Sequence, residues 1–285
     1  MINKRRSFIT GIKGAKLSKK EISFLKNYKP WGIILFSRNI VSISQTQKLT
    51  SHIKKLFNDK NYPILIDEEG GRVSRLSKFI DNSIFSAEFF CNLYKNNKKK
   101  FYIYYDVYIK QICYLLNLLG ININTVPVLD VRRKITNKVI GNRSFSSNPF
   151  LVSKLGKICI KKFHKNHIAT VIKHIPGHGL SKDDSHKKLP IVSKNIKYLN
   201  KVDFYPFKKQ KALLAMTAHI TYNSIDKENT ATHSKKVLKI IRKKILFNNL
   251  IMSDDISMKA LKYSISKNTT QAFKAGCNLV LHCNG

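Results

Sequence analysis

The chain has 285 residues, of which 43% are hydrophobic and 24% charged, and its 53 Lys and Arg residues against 16 Asp and Glu give a formal net charge of +37. This composition is typical of a folded protein with a substantial core, and no apolar run approaches the roughly 18 residues of a membrane-spanning helix. The basic residues are mostly Lys, spread along the whole chain among many Ile and Asn residues, which indicates a coding bias rather than a track for a polyanion. We therefore predict neither specific nucleic-acid binding nor a membrane partner.

The N-terminus and the cysteines predict the compartment. The segment MINKRRSFITGIKGAKLS is basic but lacks the apolar region and the small-residue cleavage site of an export signal. Five cysteines without CxxC spacing indicate neither a disulfide framework nor a zinc ribbon. We expect a cytoplasmic protein with reduced thiols.

The predicted elements alternate between short apolar runs and longer amphipathic stretches, a pattern typical of βα units around a parallel sheet. Eight strands are predicted, in chain order FITGI (8–12), GIILF (32–36), PILID (63–67), INTVPVLD (123–130), ATVIKH (169–174), LLAMTAH (213–219), LIMSD (250–254) and NLVLH (278–282). Helices are predicted over 18–28, 43–57, 86–119 (two helices), 149–166, 200–211, 235–247 and 258–274.

This alternation, in a chain of this length, favours the α/β class and a (β/α)8 TIM barrel over an open doubly wound sheet. No linker or composition break marks a second domain, so a single domain over 1–285 is predicted. The chain stops at Gly285, directly after the eighth predicted strand. The expected barrel therefore lacks the final helix that would cover this strand.

Polar residues occupy six of the eight predicted strand ends, which is where (β/α)8 enzymes place their reactive groups. These residues are Asp67, Asp130, Lys173 with His174, His219, Asp254 and His282. Acids are scarce, yet seven of the 16 fall in the clusters Asp67-Glu68-Glu69, Asp183-Asp184 and Asp254-Asp255. Adjacent like charges are unfavourable, so the clusters indicate a site that binds a cation or handles protons.

The stretch KHIPGHGLSKDDSHKKLP, 173–190, supports a metal site, a proton-transfer site, or no site at all, in which case His186 is an exposed loop histidine beside a chance aspartate. A zinc site built on His174, His178 and His186 is disfavoured, because the intervening Pro-Gly breaks the helix that would align two histidines. In a proton-transfer site, Asp184 would hold one imidazole nitrogen of His186 while the other nitrogen faces a substrate. Two glycines would let this loop move, Gly177 and Gly179.

Three further stretches contribute candidates. In IMSDDISM, 251–258, Asp254 suits nucleophilic attack on a sugar carbon, although a helix N-cap is an equally good interpretation, which Asp255 could fulfil instead. LIDEEGGRVSRL, 65–76, lacks the phosphate-loop pattern and carries three acids, so Asp67 as acceptor and Arg75 as donor suit sugar hydroxyls better. VIGNRSF, 139–145, adds Arg143.

Together these stretches resemble the β-N-acetylhexosaminidases of glycoside hydrolase family 3, the single-domain bacterial type that acts in peptidoglycan recycling. LIDEEGGRVSRL is similar to the family's D-x-E-G-G-R-V-x-R-[LF] segment, KHIPGHG to K-H-F-P-G-H-G, DDSHKKLP to D-S-H-x-x-L-P and IMSDDISM to S-D-D-[LI]-x-M. The likeness runs in order from about residue 8 to the last residue. It departs from the family at Glu68, where glutamine or histidine is common, and in its many lysines.

The resemblance implies a retaining exo-β-N-acetylglucosaminidase that needs no cofactor or metal and acts on muropeptides containing N-acetylglucosamine; we expect a monomer. It implies that Asp254 is the nucleophile and that His186, oriented by Asp184, is the acid/base. It also implies sugar contacts from Asp67, Arg75, Arg143, Lys173 and His174. Two alternatives stay open: a metal-dependent barrel hydrolase, and an inactive barrel that serves as a binding protein.

Overall fold

A computed structural model describes residues 5–181 and 188–284. Within these ranges, eight parallel strands close into a barrel in the order β1-β8-β7-β6-β5-β4-β3-β2. The strands are β1 Arg6–Thr10, β2 Pro30–Leu35, β3 Ile64–Ile66, β4 Ile123–Asn124, β5 Ala169–Ile175, β6 Leu214–Thr217, β7 Leu250–Asp255 and β8 Leu279–His282. The predicted TIM barrel is confirmed, and a strand lies in each of the eight predicted stretches. The fourth is much shorter than expected, because only Ile123–Asn124 of the stretch 123–130 is strand, with an isolated bridge at Val128.

The helices lie around this barrel. They are α1 Lys19–Tyr28, α2 Ile43–Leu56, α3 Ala87–Asn96, α4 Lys98–Leu118, α5 Pro149–Lys165, α6 Ile196–Lys201, α7 Lys235–Ile240, which continues as a π-helical turn over Ile241–Ile245, and α8 Ile265–Ala275. Side-chain caps set where several begin: Ser18 and Glu21 form a capping box at α1, and Asn148 precedes Pro149 at the start of α5. In the described part of the chain, no helix follows β8.

Two helix predictions have the wrong bounds. The helix expected over 200–211 is instead the short α6, capped by Asn195, followed by a 3₁₀ turn over Tyr205–Phe207. Pro206 lies in this turn and has no backbone N–H for a continuing helix. The helix expected over 258–274 begins only at Ile265, because Ser264 is its N-cap.

The inside of the barrel is filled with apolar side chains. Alternation along the strands turns Ile34 and Leu65 into the barrel, whereas Ile33 and Ile64 pack outward with the helices. The inner cluster consists of Ile9, Ile34, Leu65, Ile123, Val171, Leu214, Met216, Met252, Leu279 and Leu281. Because this core leaves no channel, any site must lie at the mouth formed by the C-terminal strand ends.

A small three-stranded sheet braces the loops that follow β5 and β6. Its strands are Ile191–Val192, Thr221–Tyr222 and Asp226–Thr230, with the middle strand parallel to the first and antiparallel to the last. The hydroxyl of Tyr222 donates a hydrogen bond to the carbonyl of Gly177, so the sheet holds the loop after β5. None of the described helices combines the length and apolar character that crossing a membrane requires.

Candidate active site

Lys173 of β5 lies buried between two carboxylates at the barrel mouth. Its Nζ is 2.9 Å from Asp67 Oδ1 and 2.6 Å from Glu69 Oε1, and it donates to Thr125 Oγ1 at 2.9 Å. Together these contacts use all the N–H groups of the ammonium. Burial alone would lower the pKa of Lys173, but the negative charges of Asp67 and Glu69 keep it above its ordinary value. The lysine therefore stays charged.

Glu69 links this lysine to Arg143. The Arg143 guanidinium donates from Nε and Nη2 to the two carboxylate oxygens at 2.8 Å each, and Nη1 donates to the carbonyl of Val139. Burial favours the neutral carboxyl, yet the charges of Arg143 and Lys173 lower the pKa of Glu69 to about 2. In the sequence, the only signal for Glu69 is its place in the run of three acids, which predicts no separate role for it.

The three adjacent acids of this run point to three different sets of partners. Asp67 contacts Lys173 and lies 3.7 Å from the Arg75 guanidinium; these charges hold the pKa of Asp67 below its usual value despite burial. Glu68 turns away from them and accepts hydrogen bonds from the backbone of Arg75 and Leu76 and from the side chains of Ser74 and Asn82. Glu68 therefore shapes the loop that presents Arg75, rather than adding charge beside Asp67.

Asp130, after β4, orients His174. Its Oδ2 lies 2.7 Å from His174 Nδ1, and its Oδ1 accepts the backbone N–H groups of His174 and His178 at 3.3 and 2.6 Å. Burial opposes ionisation, but His174 and its hydrogen bond keep the pKa of Asp130 below the ordinary value. An ionised Asp130 can only accept, so Nδ1 of His174 carries the proton and Nε2 faces away from Asp130. The sequence indicates Asp130 as a strand-end residue but does not predict this orienting role.

Asp254 lies at the end of β7, half-buried, and accepts the backbone N–H of Asp255 at 2.8 Å. Burial lowers the pKa of His178 to about 4, and it also lowers the pKa of His219. The negative charge of Asp254 partly offsets this by raising the pKa of both histidines. Burial and the charges of Asp255, Asp67 and Asp254 together raise the pKa of the Cys283 thiol. These shared neighbours put Asp254 at the same mouth as the Asp67 network.

Asp255 does not cap the next helix, so that suggestion is wrong. Its carboxylate accepts from the backbone N–H and hydroxyl of Ser257 and from the N–H of Cys283, and Ser264 caps α8. His219 Nε2 lies 3.0 Å from the Asp255 carbonyl, which can only accept, so Nε2 of His219 carries the proton. Asp255 and His219 thus connect the C-terminal ends of β6, β7 and β8.

The loop after β5 is tightly packed as far as Ser181. A Cβ on Gly179 would lie 1.9 Å from the carbonyl oxygen of Val131, and one on Gly177 would lie 3.0 Å from Asp203. Close backbone approach therefore explains both glycines, and the packing gives no support to the hinge role expected for them. Asp184 and His186 lie outside the described residues.

No three His, Cys, Asp or Glu side chains within residues 5–181 and 188–284 come together in a way that could hold a metal ion. This part of the structure therefore gives no support to the metal hypothesis. The rings of His174 and His178 meet edge to face with centroids 5.6 Å apart, and His174 Nδ1 is engaged with Asp130. All five cysteines are free thiols.

A filled eight-stranded barrel whose mouth carries carboxylates, a lysine and an oriented histidine defines an enzyme of the (β/α)8-barrel class. The family description "Glycosyl hydrolase family 3 N terminal domain" matches residues 7–285. The chain therefore belongs to glycosyl hydrolase family 3, and it is a glycoside hydrolase.

Several known proteins are similar to most of the chain. A beta-hexosaminidase of Hydrogenovibrio crunogenus is 33% identical over 258 residues, which cover 89% of this chain and 71% of that protein. A family 3 β-N-acetylglucosaminidase from Paenibacillus sp. superimposes with a TM-score of 0.85 at 27% identity, over 98% of this chain but 53% of its own.

NagZ from Neisseria gonorrhoeae is similar over 98% of this chain and 81% of its own. In complex with N-trifluoroacetyl-D-glucosamine it gives a TM-score of 0.85 at 30% identity. In complex with zinc ion it gives 0.84 at 29% identity.

Proposed function

We propose that this glycoside hydrolase is a retaining exo-β-N-acetylglucosaminidase that releases N-acetylglucosamine from muropeptides in peptidoglycan recycling. The observation that carries the proposal is the network in which Lys173 joins Asp67 to Glu69 and Glu69 joins Arg143. It unites three separate segments of the chain into one rigid surface of acceptors and donors, as a neutral polyhydroxy ligand requires. The binding of an N-acylglucosamine by the gonococcal relative supports the same substrate class.

Within this site we assign the sugar contacts by donor and acceptor chemistry. Asp67 stays ionised at neutral pH and accepts from hydroxyl groups. Arg75, Arg143 and Nε2 of His174 supply polar contacts from the other sides. Lys173 already spends its N–H groups on protein partners, so its main contribution is to hold Asp67 and Glu69 in place.

The proposed reaction has two steps at the anomeric carbon. The Asp254 carboxylate attacks this carbon and forms a covalent glycosyl ester, while His186 donates a proton to the departing glycosidic oxygen. His186 then takes a proton from a water molecule, whose oxygen attacks the same carbon and frees Asp254. Asp184 orients the imidazole. The roles of His186 and Asp184 rest on the D-S-H segment of the sequence.

Hydrolysis of a chromogenic β-N-acetylglucosaminide tests these roles. Asp254→Asn and His186→Ala are expected to lose about a thousandfold or more in kcat, because each removes a group that acts on the reacting bonds. Asp106→Asn, which changes an aspartate on α4 away from the mouth, is the matched control. NMR of the first product formed should show retained β configuration.

Three results would redirect the proposal. Full activity of Asp254→Asn would remove the nucleophile assignment. Loss of wild-type activity in EDTA, restored by zinc, would favour the metal-dependent hydrolase. A folded wild type that binds the sugar without turnover would favour a binding protein.

We further propose a single-domain monomer that acts in the cytoplasm without a cofactor. The free thiols support a reducing compartment, and size-exclusion chromatography tests the oligomeric state.

A further inference from the structure

Helix α4 carries an exposed apolar stripe that no other described element covers. Ile103, Val107 and Tyr114 are 52%, 58% and 67% exposed, and Tyr104, at 52%, borders them. Their spacing puts them along one face of the helix over about 16 Å, with the exposed Lys110 on the same face between Val107 and Tyr114. The opposite face packs into the core through Phe101, Tyr105, Ile109, Ile112, Cys113 and Leu116. The helix is therefore apolar on two sides, unlike an ordinary surface helix with a polar outer face.

Positive charge surrounds this α4 stripe. Helix α4 contains four lysines, Lys98, Lys99, Lys100 and Lys110, and one acid, Asp106. Asp106 is neutralised by Lys110 at 2.8 Å and by Lys162 of the neighbouring α5. Helix α5 contains five lysines, Lys154, Lys157, Lys161, Lys162 and Lys165, and no acid. The flank formed by α4 and α5 thus combines exposed apolar side chains with unbalanced positive charge.

The combination of exposed apolar side chains and positive charge favours one class of partner over the others. A second copy of the chain would bring two strongly basic flanks together, in molecules whose formal net charge is +37. A nucleic acid would pair with the lysines and could stack bases on the tyrosines, but it has no aliphatic layer in which to bury Ile103 and Val107. An anionic bilayer satisfies both, because aliphatic side chains enter the interface, tyrosines are favoured there, and lysines attract acidic headgroups.

In contrast to the expectation from composition that the chain has no membrane partner, we propose that the α4 stripe binds the surface of an anionic lipid bilayer, as a peripheral contact with the helix parallel to the membrane plane. Because α4 lies on the flank of the barrel and not at the strand ends, the mouth stays open to substrate. Binding of this kind is reversible and weakens as salt screens the headgroup charge. The inference is independent of the proposed substrate.

Sedimentation with phosphatidylcholine vesicles, with and without phosphatidylglycerol, tests the inference. The wild type should sediment only with the anionic vesicles, and less at high salt. Ile103→Gln/Val107→Gln/Tyr114→Gln should weaken vesicle binding by about tenfold or more, because it removes the apolar contact. This variant should keep the wild-type melting temperature and full hydrolysis of a soluble substrate.

The control variant changes the same residue types at similar exposure elsewhere. Val41, Ile265 and Tyr28 are 54%, 47% and 44% exposed, and Val41→Gln/Ile265→Gln/Tyr28→Gln should bind vesicles like the wild type. Wild-type failure to bind anionic vesicles would overturn the inference. So would a folded stripe variant that binds equally well, a control that loses binding to the same extent, or a stripe variant that abolishes self-association or RNA binding instead.

Discussion

Replacement of Arg143 by Met is expected to lower the free energy of unfolding by about 3 kcal/mol at neutral pH. Glu69 has only 5% of its side chain exposed, and its pKa is about 2 in the folded state against an ordinary 4.5, because Arg143 and Lys173 outweigh burial. The difference of about 2.5, at 1.36 kcal/mol for each pKa unit, corresponds to about 3 kcal/mol for both cations together, after the opposing effect of burial. Removal of Arg143 alone leaves the buried carboxylate with one cationic partner, for which a loss of the same order is expected. Of the two cations, Arg143 lowers the pKa of Glu69 more than Lys173 does.

The sign of the pH dependence follows from the direction of the pKa change. Because the carboxyl is more acidic in the folded than in the unfolded state, its stabilisation is fully present above pH 4.5 and disappears as the pH falls towards 2. The difference between wild type and Arg143→Met should therefore be largest at pH 7 and smaller at pH 3.

Urea unfolding followed by the fluorescence of the single tryptophan measures this difference. Combination with Glu69→Gln completes a double-mutant cycle, in which we expect a coupling of about 1–3 kcal/mol. Lys110→Met is the control, since the Lys110 side chain is 60% exposed and its i,i+4 pair with Asp106 should contribute less than about 0.5 kcal/mol. Additive effects of the two changes, or a loss as large at pH 3 as at pH 7, would refute the reasoning.

Two further changes test burial and close packing. Asp203 is 1% exposed, and burial raises its pKa to about 7, although the positive charge of Arg133 opposes this rise. The folded state therefore binds the proton more tightly than the unfolded state does. As a result, the free energy of unfolding should fall as the pH rises from about 4 to 7. Asp203→Asn should flatten that slope in thermal melts, and an unchanged slope would contradict the assignment. Gly179→Ala should cost about 2 kcal/mol or more, because its Cβ would strike backbone at 1.9 Å, whereas Gly14→Ala, with open space around it, should change stability by about 0.5 kcal/mol at most. Equal melting temperatures for the two alanine variants would argue against the packing explanation.

The barrel was predictable because its strands are buried on both faces and appear as short apolar runs, such as ATVIKH at β5. Helix bounds were less accessible. The chain over 200–211 contains good helix formers, but a cap at Asn195 and the proline at 206 divide the segment differently. Such local competition between caps and breakers is invisible to periodicity alone.

For the candidate site, strand ends were an effective guide. They identified Asp67, Lys173 and Asp254, which the structure places at one mouth. The ion pairs within the mouth were not predictable from the sequence, because Glu68 and Glu69 are neighbours in the chain. Their side chains take different directions only because of the course of the loop at Gly70 and Gly71, both of which have positive φ. Asp203 gave no signal, as a lone acid in a lysine-rich stretch.

The hydrogen bonds of Glu68 make the course of the loop at residues 74–76 independent of the side chain at position 75. This carboxylate accepts the backbone N–H groups of Arg75 and Leu76 and the hydroxyl of Ser74, without facing the ion-paired network of Asp67 and Lys173. Side-chain identity at position 75 can therefore be varied in a library while the course of the loop is preserved. Conversely, a change at Glu68 would alter many contacts at once and report little about any one of them. A search for altered substrate preference is best begun at Arg75, with Glu68 held constant.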